Sequence, residues 1–136
     1  MHITGNGEWS LKTVFDHLNY WRRRELRTML CVADIPAQTT LMRQGEPGNS
    51  FVFLLKGSVD VTIGDEPVHR IGAGGFFGEL ALLPHISGSD GRRMATVTAE
   101  PGARLGVCGR REFESLLERF PRVGGEILAQ AYRLTG

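Results

Sequence analysis

The spacing of apolar positions along the chain changes from helical to alternating and then back to helical. In residues 21–32, Leu26 and Leu30 lie four positions apart, on one face of a predicted helix. A preceding helix is predicted over residues 10–17, where a serine can cap the first turn. Residues 1–9 are polar and contain glycine, so we expect a loose N-terminal segment.

The middle of the chain predicts short β-strands that meet at glycine-bearing corners. Residues 51–55 are continuously apolar, as in a strand that is buried on both faces. Residues 59–63 alternate apolar and polar side chains, as in a half-buried strand. Further strands are predicted over residues 40–43, 68–71, 94–99 and 104–108. Short strands at nearly regular spacing, with glycine at the turns, are typical of an antiparallel barrel or roll.

Two more helices are predicted near the C-terminal end. Phe113, Leu116 and Phe120 repeat at helical spacing and form one apolar face. Pro121 suits the first turn of a last helix, whose apolar stripe consists of Val123, Ile127, Ala131 and Leu134. The whole pattern predicts an α+β fold in a single domain over residues 1–136. That fold is an antiparallel, jelly-roll-like β-roll flanked by N-terminal and C-terminal helices.

Charge and composition argue against several classes of protein. Lysine and arginine total 16 against 15 for aspartate and glutamate, so the basic excess typical of a nucleic-acid surface is absent. The run of three arginines at 22–24 has two interpretations, a solvated helix face or a contact with a partner. The apolar runs are too short for a membrane span, and we expect no signal peptide.

The cysteines bear on the cellular compartment. Cys31 and Cys108 are far apart, and each lies in an apolar segment. We therefore expect both to be buried, reduced core residues. Such residues indicate a reducing compartment, and a cytoplasmic location is predicted.

One stretch of the sequence carries the most specific chemistry. Glu79 stands at the start of a short apolar helical turn within residues 77–83, and Arg93 follows it by fourteen positions, just before a predicted strand. A carboxylate accepts hydrogen bonds from sugar hydroxyls, and a guanidinium binds a phosphate oxygen through a charge-assisted hydrogen bond. The turn also offers free backbone N–H groups to an anion. The pair suits a small molecule that carries both a sugar and one phosphate charge.

The order and spacing of four motifs resemble the cyclic nucleotide-binding domain family. The motifs occupy residues 43–48, 57–59, 77–83 and 93–97, and their joint occurrence is specific. Catabolite activator proteins, kinase regulatory subunits and cyclic-nucleotide-gated channels share this domain. The resemblance implies a non-catalytic regulatory module for signalling, which senses cAMP or a related nucleotide through a phosphate-binding cassette.

The resemblance also implies roles for individual residues. Glu79 would accept the ribose 2′-hydroxyl, and Arg93 would pair with the cyclic phosphate. Backbone N–H groups around Leu80 and Ala81 would complete the phosphate shell. Gly78 would let the backbone approach the ligand closely, and the small side chain at position 81 would leave room for it.

The residues after the arginine bear on the base. In the family, members that prefer cGMP often carry a hydroxyl residue directly after the arginine, where this chain has Met94 followed by Ala95. The absence of that hydroxyl favours cAMP and leaves cGMP as an alternative. Met94 has a second interpretation as a flexible residue that fills a gap in the packing.

The chain departs from the family pattern between the helical turn and the arginine. Residues 84–92 are several residues longer than the usual link and rich in glycine, serine and aspartate, which predicts a surface loop. Arg92 is therefore a competing candidate, although the small residues that follow Arg93 favour the latter. The alternative function is a domain of the same fold that has lost the ligand, in which Glu79 and Arg93 form a structural ion pair.

Other chemistry lacks the residues that it requires. His69 and His85 have no partner at metal-ligand spacing, so we expect neither a metal site nor a cupin-type enzyme. Ser87, His85 and Asp90 lie within one loop, whereas the members of a catalytic triad are usually brought together by the fold. We predict no catalytic residues and no cofactor. The predicted partners are a cyclic nucleotide and an effector protein or a second copy of the chain, with no nucleic acid and no membrane.

Overall fold

The secondary structure follows the predicted order of helix, strands and helices. The structure, a computed structural model, describes residues 3–4, 8–9 and 18–135. Its helices are α1 (Tyr20–Arg27), α2 (Glu79–Leu82), α3 (Pro84–Ser87), α4 (Arg110–Arg119) and α5 (Pro121–Thr135). Its strands are β1 (Ile3–Thr4), β2 (Glu8–Trp9), β3 (Cys31–Ile35), β4 (Thr39–Met42), β5 (Ser50–Lys56), β6 (Ser58–Ile63), β7 (Glu66–Gly72), β8 (Phe76–Phe77), β9 (Thr96–Ala99) and β10 (Ala103–Gly109).

The strands form two antiparallel four-stranded sheets. The first sheet has the order β3-β10-β5-β8, and the second has the order β4-β9-β6-β7. The short strands β1 and β2 pair with each other. The predicted α+β class and the antiparallel β-roll are therefore confirmed, with α1, α4 and α5 accompanying the roll.

Strand β5 is buried on both faces, and this explains its continuous apolar run. Phe51 and Phe53 point to one side and belong to a core shared with the helices, where the ring centroids of Phe51 and Phe113 lie 4.9 Å apart. Val52 and Leu54 point to the other side, into the core between the two sheets. Successive side chains of a strand alternate between faces, so one strand serves both cores.

The last two helices cover the first sheet with the faces that the sequence predicts. Phe113, Leu116 and Phe120 are buried, as are Val123, Ile127 and Ala131 of α5. The apolar stripe of each helix therefore packs into the core shared with β5. None of the described helices is long and apolar enough to cross a membrane.

Two predictions near the first helix are wrong. Helix α1 ends at Arg27, and Cys31–Ile35 forms strand β3, which pairs with β10 along the edge of the first sheet. Cys31 is consequently exposed, whereas Cys108 is buried as expected. The helical periodicity was misleading because the apolar Val32 faces outward on this edge strand and is 50% exposed.

The region before β9 also differs from the prediction. Residues 84–92 do not form one continuous surface loop, because Pro84–Ser87 makes the short helix α3. Strand β9 begins at Thr96, so Met94 and Ala95 lie in a bend rather than in the strand.

The N-terminal predictions fall mostly outside the described residues. The predicted helix over residues 10–17 lies there entirely. Within the segment 1–9, which we expected to be loose, Ile3–Thr4 and Glu8–Trp9 pair as β1 and β2. The other residues of that segment are outside the described part.

We predict that the helix-facing core dominates stability. Leu116→Ala removes a side chain that is 0% exposed and should lower the free energy of unfolding by about 2–5 kcal/mol. Val32→Ala, at a site that is 50% exposed, is the matched control and should change it by less than about 0.5 kcal/mol. Urea unfolding followed by circular dichroism measures both. If Leu116→Ala lowers the free energy of unfolding no more than Val32→Ala does, helix α4 contributes little to the core.

Candidate ligand-binding site

A cavity of about 430 Å³ lies between the second sheet, the segment from β8 to α2, and helix α5. Its volume is in the range of small-molecule sites. Much of its wall is apolar and is formed by Met42, Val61, Ile63, Val68, Ile71, Phe76, Phe77 and Val97. The predicted site residues Gly78, Glu79, Leu80, Ala81, Arg93, Met94 and Ala95 all line it. The fold therefore brings together every residue that the sequence analysis selected.

Gly78 shapes the entrance to helix α2. Its φ angle of 94° lies in the left-handed region, where side chains other than glycine's are strained. A Cβ atom placed there would lie 2.9 Å from the carbonyl oxygen of Ser50 and 3.0 Å from Nη1 of Arg93. Glycine is thus required both by backbone conformation and by space.

Glu79 is the first residue of α2 and is only 2% exposed. Its Oε1 accepts a hydrogen bond of 3.1 Å from Nε2 of Gln130 on helix α5. Its buried Oε2 has no hydrogen-bond partner among the residues that the structure describes. Burial raises the pKa of this carboxyl from 4.5 to about 7, although the backbone N–H of Glu79 itself, Gln130 and Arg93 act in the opposite direction. A buried polar atom without a hydrogen-bond partner is costly, and Oε2 can accept a hydrogen bond from a donor that enters the cavity.

Arg93 brings a buried positive charge to the cavity and is 8% exposed. Its Nη1 donates to the carbonyl of Gly78 at 3.1 Å, and its Nη2 donates to Oγ of Ser50 at 3.0 Å. Burial lowers the pKa of the guanidinium, and the nearby charge of Glu79 opposes that shift. A guanidinium has five N–H donors, so donors remain for an anion.

Glu79 and Arg93 interact through space but do not form an ion pair. Their charges influence each other's pKa, yet no carboxylate in the described part of the chain lies within 4.0 Å of Arg93. Both groups keep hydrogen-bonding capacity that the protein does not use. The structural ion pair of the alternative hypothesis is therefore not present.

Backbone contacts with the turn between β4 and β5 hold Arg93 in place. Its N–H donates to the carbonyl of Glu46 at 2.7 Å, and its carbonyl accepts from the N–H of Gly45 at 2.8 Å. Gly48 packs directly against the guanidinium, because a Cβ there would lie 2.4 Å from Nε of Arg93. The neighbouring Arg92 is exposed, and its Nη1 donates to the carbonyl of Gly45. The structure thus puts Arg93 in the cavity and leaves Arg92 outside it.

Residues 84–91 support helix α2 rather than forming a separate surface feature. The hydroxyls of Ser87 and Ser89 donate to the carbonyl of Leu80 at 2.7 and 3.2 Å. The carbonyl of Gly91 accepts a hydrogen bond of 2.9 Å from Gly48. The insertion therefore connects α2 to the turn that holds Arg93.

The remaining predicted residues differ in exposure. Ala81 is buried, Leu80 and Ala95 are half-buried, and Met94 is 39% exposed at the rim. Among the described residues, no group of three or more histidine, cysteine, aspartate or glutamate side chains could hold a metal ion.

Four residues of the site were not found by the sequence analysis. Gly48 belongs to the motif at residues 43–48 but was given no role at the site, and Ser50 directly precedes the apolar run of β5. Arg133, which is exposed, lines the cavity from α5. Gln130 had a detectable signal, because it is three residues after Ile127 and interrupts the apolar stripe of that helix.

Comparisons with known proteins agree on one family. A family profile described as "Cyclic nucleotide-binding domain" matches residues 33–120, which is more than half of the chain. A putative potassium channel protein of Rhodopseudomonas palustris is 30% identical over 125 residues, which cover 88% of this chain and 29% of the channel. A cAMP-dependent protein kinase regulatory subunit of Colletotrichum orbiculare is 38% identical over 80 residues, which cover 57% of this chain and 19% of the subunit. The chain thus spans less than a third of these relatives.

A solved structure supports the fold independently of sequence. The catabolite activator protein of Thermus thermophilus superposes with a TM-score of 0.73 at 22% identity. The match covers 88% of this chain and 56% of the activator. At this identity, the likeness bears on the arrangement of helices and sheets.

The buried carboxyl of Glu79 generates a prediction about pH. Its pKa is higher in the folded protein than the ordinary 4.5, so the folded state retains a proton that the unfolded state releases between pH 4.5 and about 7. The protonated carboxyl therefore stabilises the folded protein below pH 4.5. As the pH rises to about 7, this contribution should be lost and the free energy of unfolding should fall by about 3 kcal/mol.

The matched control is Glu79→Gln, which keeps the shape and removes the titration. Chemical unfolding at several pH values should show the wild type losing stability relative to this variant as the pH rises toward 7. Parallel pH profiles would mean that the pKa of Glu79 is the same in the folded and the unfolded protein.

Proposed function

The chain belongs to the cyclic nucleotide-binding domain family, and we propose that its cavity binds one cyclic nucleotide, with cAMP preferred over cGMP. Glu79 accepts the ribose 2′-hydroxyl, and Arg93 binds the cyclic phosphate. The module senses the nucleotide and carries out no chemical reaction. Its effect reaches an effector protein, another part of a longer chain, or a second copy.

One observation carries this proposal. Within the described part of the chain, Oε2 of Glu79 is buried without a donor and Arg93 is buried without a carboxylate partner, and both residues line the same cavity. A cyclic nucleotide bears a single negative charge on its phosphodiester group, and its ribose carries a neighbouring hydroxyl. It offers one anion for the guanidinium and one donor for the carboxylate, so it matches both unmet groups.

The start of helix α2 adds to the phosphate side of the site. The first N–H groups of a helix have no partner inside the helix, and those of Leu80 and Ala81 are in this position. Gly78 lets the ligand and Arg93 approach the backbone. The Ala81 side chain is too small to fill the space beside them.

The base is expected against the apolar part of the cavity wall. Ile63, Val68 and Met94 are between 39% and 51% exposed, and together they leave an apolar surface at the rim. Met94 offers no hydroxyl for a guanine, which favours adenine. The regulatory subunit of Colletotrichum orbiculare is named as cAMP-dependent, and this agrees with the preference.

Helix α5 gives the site a means of signalling. Gln130 donates to Glu79, so the group that would accept the ribose hydroxyl is also bonded to this helix. If α5 can take two positions and the nucleotide binds more tightly in one of them, binding will shift the population of protein molecules toward that position. The size of the shift depends only on the difference in affinity between the two arrangements.

Calorimetric titration with cAMP and cGMP is the direct test. Saturable binding with one site per chain, tighter for cAMP, supports the proposal. No binding of either nucleotide favours the alternative function, in which the domain keeps the fold and serves as an interaction module without a ligand.

We predict that Arg93 and not the adjacent Arg92 binds the phosphate. Arg93→Ala removes a buried charge-assisted contact and should weaken cAMP binding on the order of a hundredfold. Arg93→Lys should recover part of this loss, because lysine keeps the charge without the planar fork. Arg92→Ala, the matched control, should change the affinity by less than about twofold, because that side chain is exposed. Titrations measure all three, and a damaging Arg92→Ala would overturn the assignment.

We predict that Glu79 recognises the sugar. Glu79→Ala should weaken cAMP binding by about 1.5–3 kcal/mol and abolish the preference for cAMP over its 2′-deoxy analogue. Glu114→Ala, a control at an exposed position of α4, should leave both affinities and their ratio unchanged. If the preference survives in Glu79→Ala, another group binds the 2′-hydroxyl.

A further inference from the structure

A second concave surface lies away from the cavity, between helix α1 and the strands β5 and β10. This basic groove has a volume of about 810 Å³ and shares no lining residue with the cavity. It is lined by Tyr20, Arg23, Arg24, Arg27, Thr28, Leu55, Lys56 and Arg104. Five of these eight residues are cationic and none is acidic, although the chain as a whole carries a net charge of only +1.

Most charges of the basic groove are not neutralised within the described part of the chain. Arg23 donates to the carbonyl of Leu18, and Arg24 donates to the hydroxyl of Tyr20. Arg27 and Lys56 have neither an ion pair nor a side-chain hydrogen bond within residues 18–135.

Among the described residues, one lining cation has a carboxylate partner. Nε of Arg104 donates to Oδ1 of Asp34 at 2.7 Å, at an exposed position. That carboxylate is not part of the groove's lining. A carboxylate brought into the groove would therefore meet several unpaired cations.

The neighbouring Arg22 shows what a structural arginine looks like in this helix. It pairs with Glu25, donates to the carbonyl of Arg119, and lies 4.2 Å from the ring centroid of Phe120. Packing between α1 and the α4–α5 junction accounts for this residue. It does not account for the arginines that face the groove.

The helix dipole accounts for Arg24 and Arg27, which lie in the last turn of α1, but not for Arg23. The first turn of α1 contains no acidic residue. Negative side chains favour the N-terminal end of a helix, and positive ones favour the C-terminal end. Arg23 therefore interacts unfavourably with the helix dipole, and only the arginines of the last turn are stabilised by it.

We propose that the basic groove docks an extended acidic segment of a partner protein. Arg23 and Arg27 are one turn apart, which is about 6 Å along the helix. Alternate side chains of an extended peptide are about 6.6 Å apart, so carboxylates at every second position can meet this row. The half-buried Leu55 and the ring of Tyr20 provide an apolar surface between the charges.

The structure favours a peptide over other polyanions. A flat bilayer cannot fill a concave groove of this volume. A nucleic-acid surface is usually accompanied by a strong basic excess, which this chain lacks. Arginine forks bind carboxylates through two parallel hydrogen bonds, and this suits aspartate and glutamate side chains.

The test uses the full chain and a fluorescein-labelled peptide in which glutamate alternates with serine. Fluorescence anisotropy measures binding with and without saturating cAMP, and a peptide alternating glutamine with serine is the control ligand. The double variant Arg27→Glu with Lys56→Glu removes groove charges. The double variant Arg111→Glu with Arg122→Glu makes the same change in net charge at exposed positions elsewhere. Thermal unfolding shows that both variants fold.

The expected result is saturable binding of the acidic peptide that weakens by at least about tenfold in the groove variant and by less than about twofold in the control variant. Equal losses in both variants would show attraction by net charge alone and overturn the proposal. Tighter, groove-dependent binding of oligothymidylate or of phosphatidylserine vesicles would also overturn it in favour of a nucleic-acid or membrane surface. No binding of the peptide by the wild type would overturn it as well.

Discussion

The burial of two opposite charges beside one cavity is the constraint on which the rest of the site depends. Removing Glu79 and Arg93 from water costs several kcal/mol for each ion unless hydrogen bonds replace the lost solvation. Arg93 obtains such bonds from Gly78 and Ser50, and Glu79 obtains one from Gln130. The neighbouring segments therefore have to be held accurately. The glycine at position 78, the turn from β4 to β5 and the serines of the insertion each contribute to this.

The sequence was informative wherever a local pattern determines structure. The two-sided burial of β5 and the apolar stripes of α4 and α5 were predicted because their periodicity reflects which faces are covered. The helix predicted over residues 21–32 was wrong after Arg27, because pairing with β10 decided the conformation of Cys31–Ile35. Such pairing brings together residues that are more than sixty positions apart, so no local pattern reveals it.

The residues that form the site could be predicted in part from the sequence, but their arrangement in space could not. Glu79 and Arg93 were selected from the motifs, and the structure has both at the cavity. The strand expected from residue 94 begins only at Thr96, so the alternation of side chains along a strand does not separate Arg92 from Arg93. Contacts with the turn at residues 45–48 separate the two side chains instead. Gln130 was missed because its role depends on where α5 packs.

Helix α5 connects the cavity with more distant parts of the molecule. Ile127 and Ala131 anchor it in the core, and Gln130 on the same helix reaches Glu79. At its other end, Phe120 and Arg119 contact Arg22 of α1, the helix that forms one wall of the basic groove. Contacts alone do not establish coupling between two sites, because both ligands must bias the same two-state element. Helix α5 is the described element that touches Glu79 directly and adjoins the contacts of α1. If α5 has two positions and both ligands distinguish between them, the nucleotide will change the affinity of the groove by the same factor by which the peptide changes the affinity of the cavity.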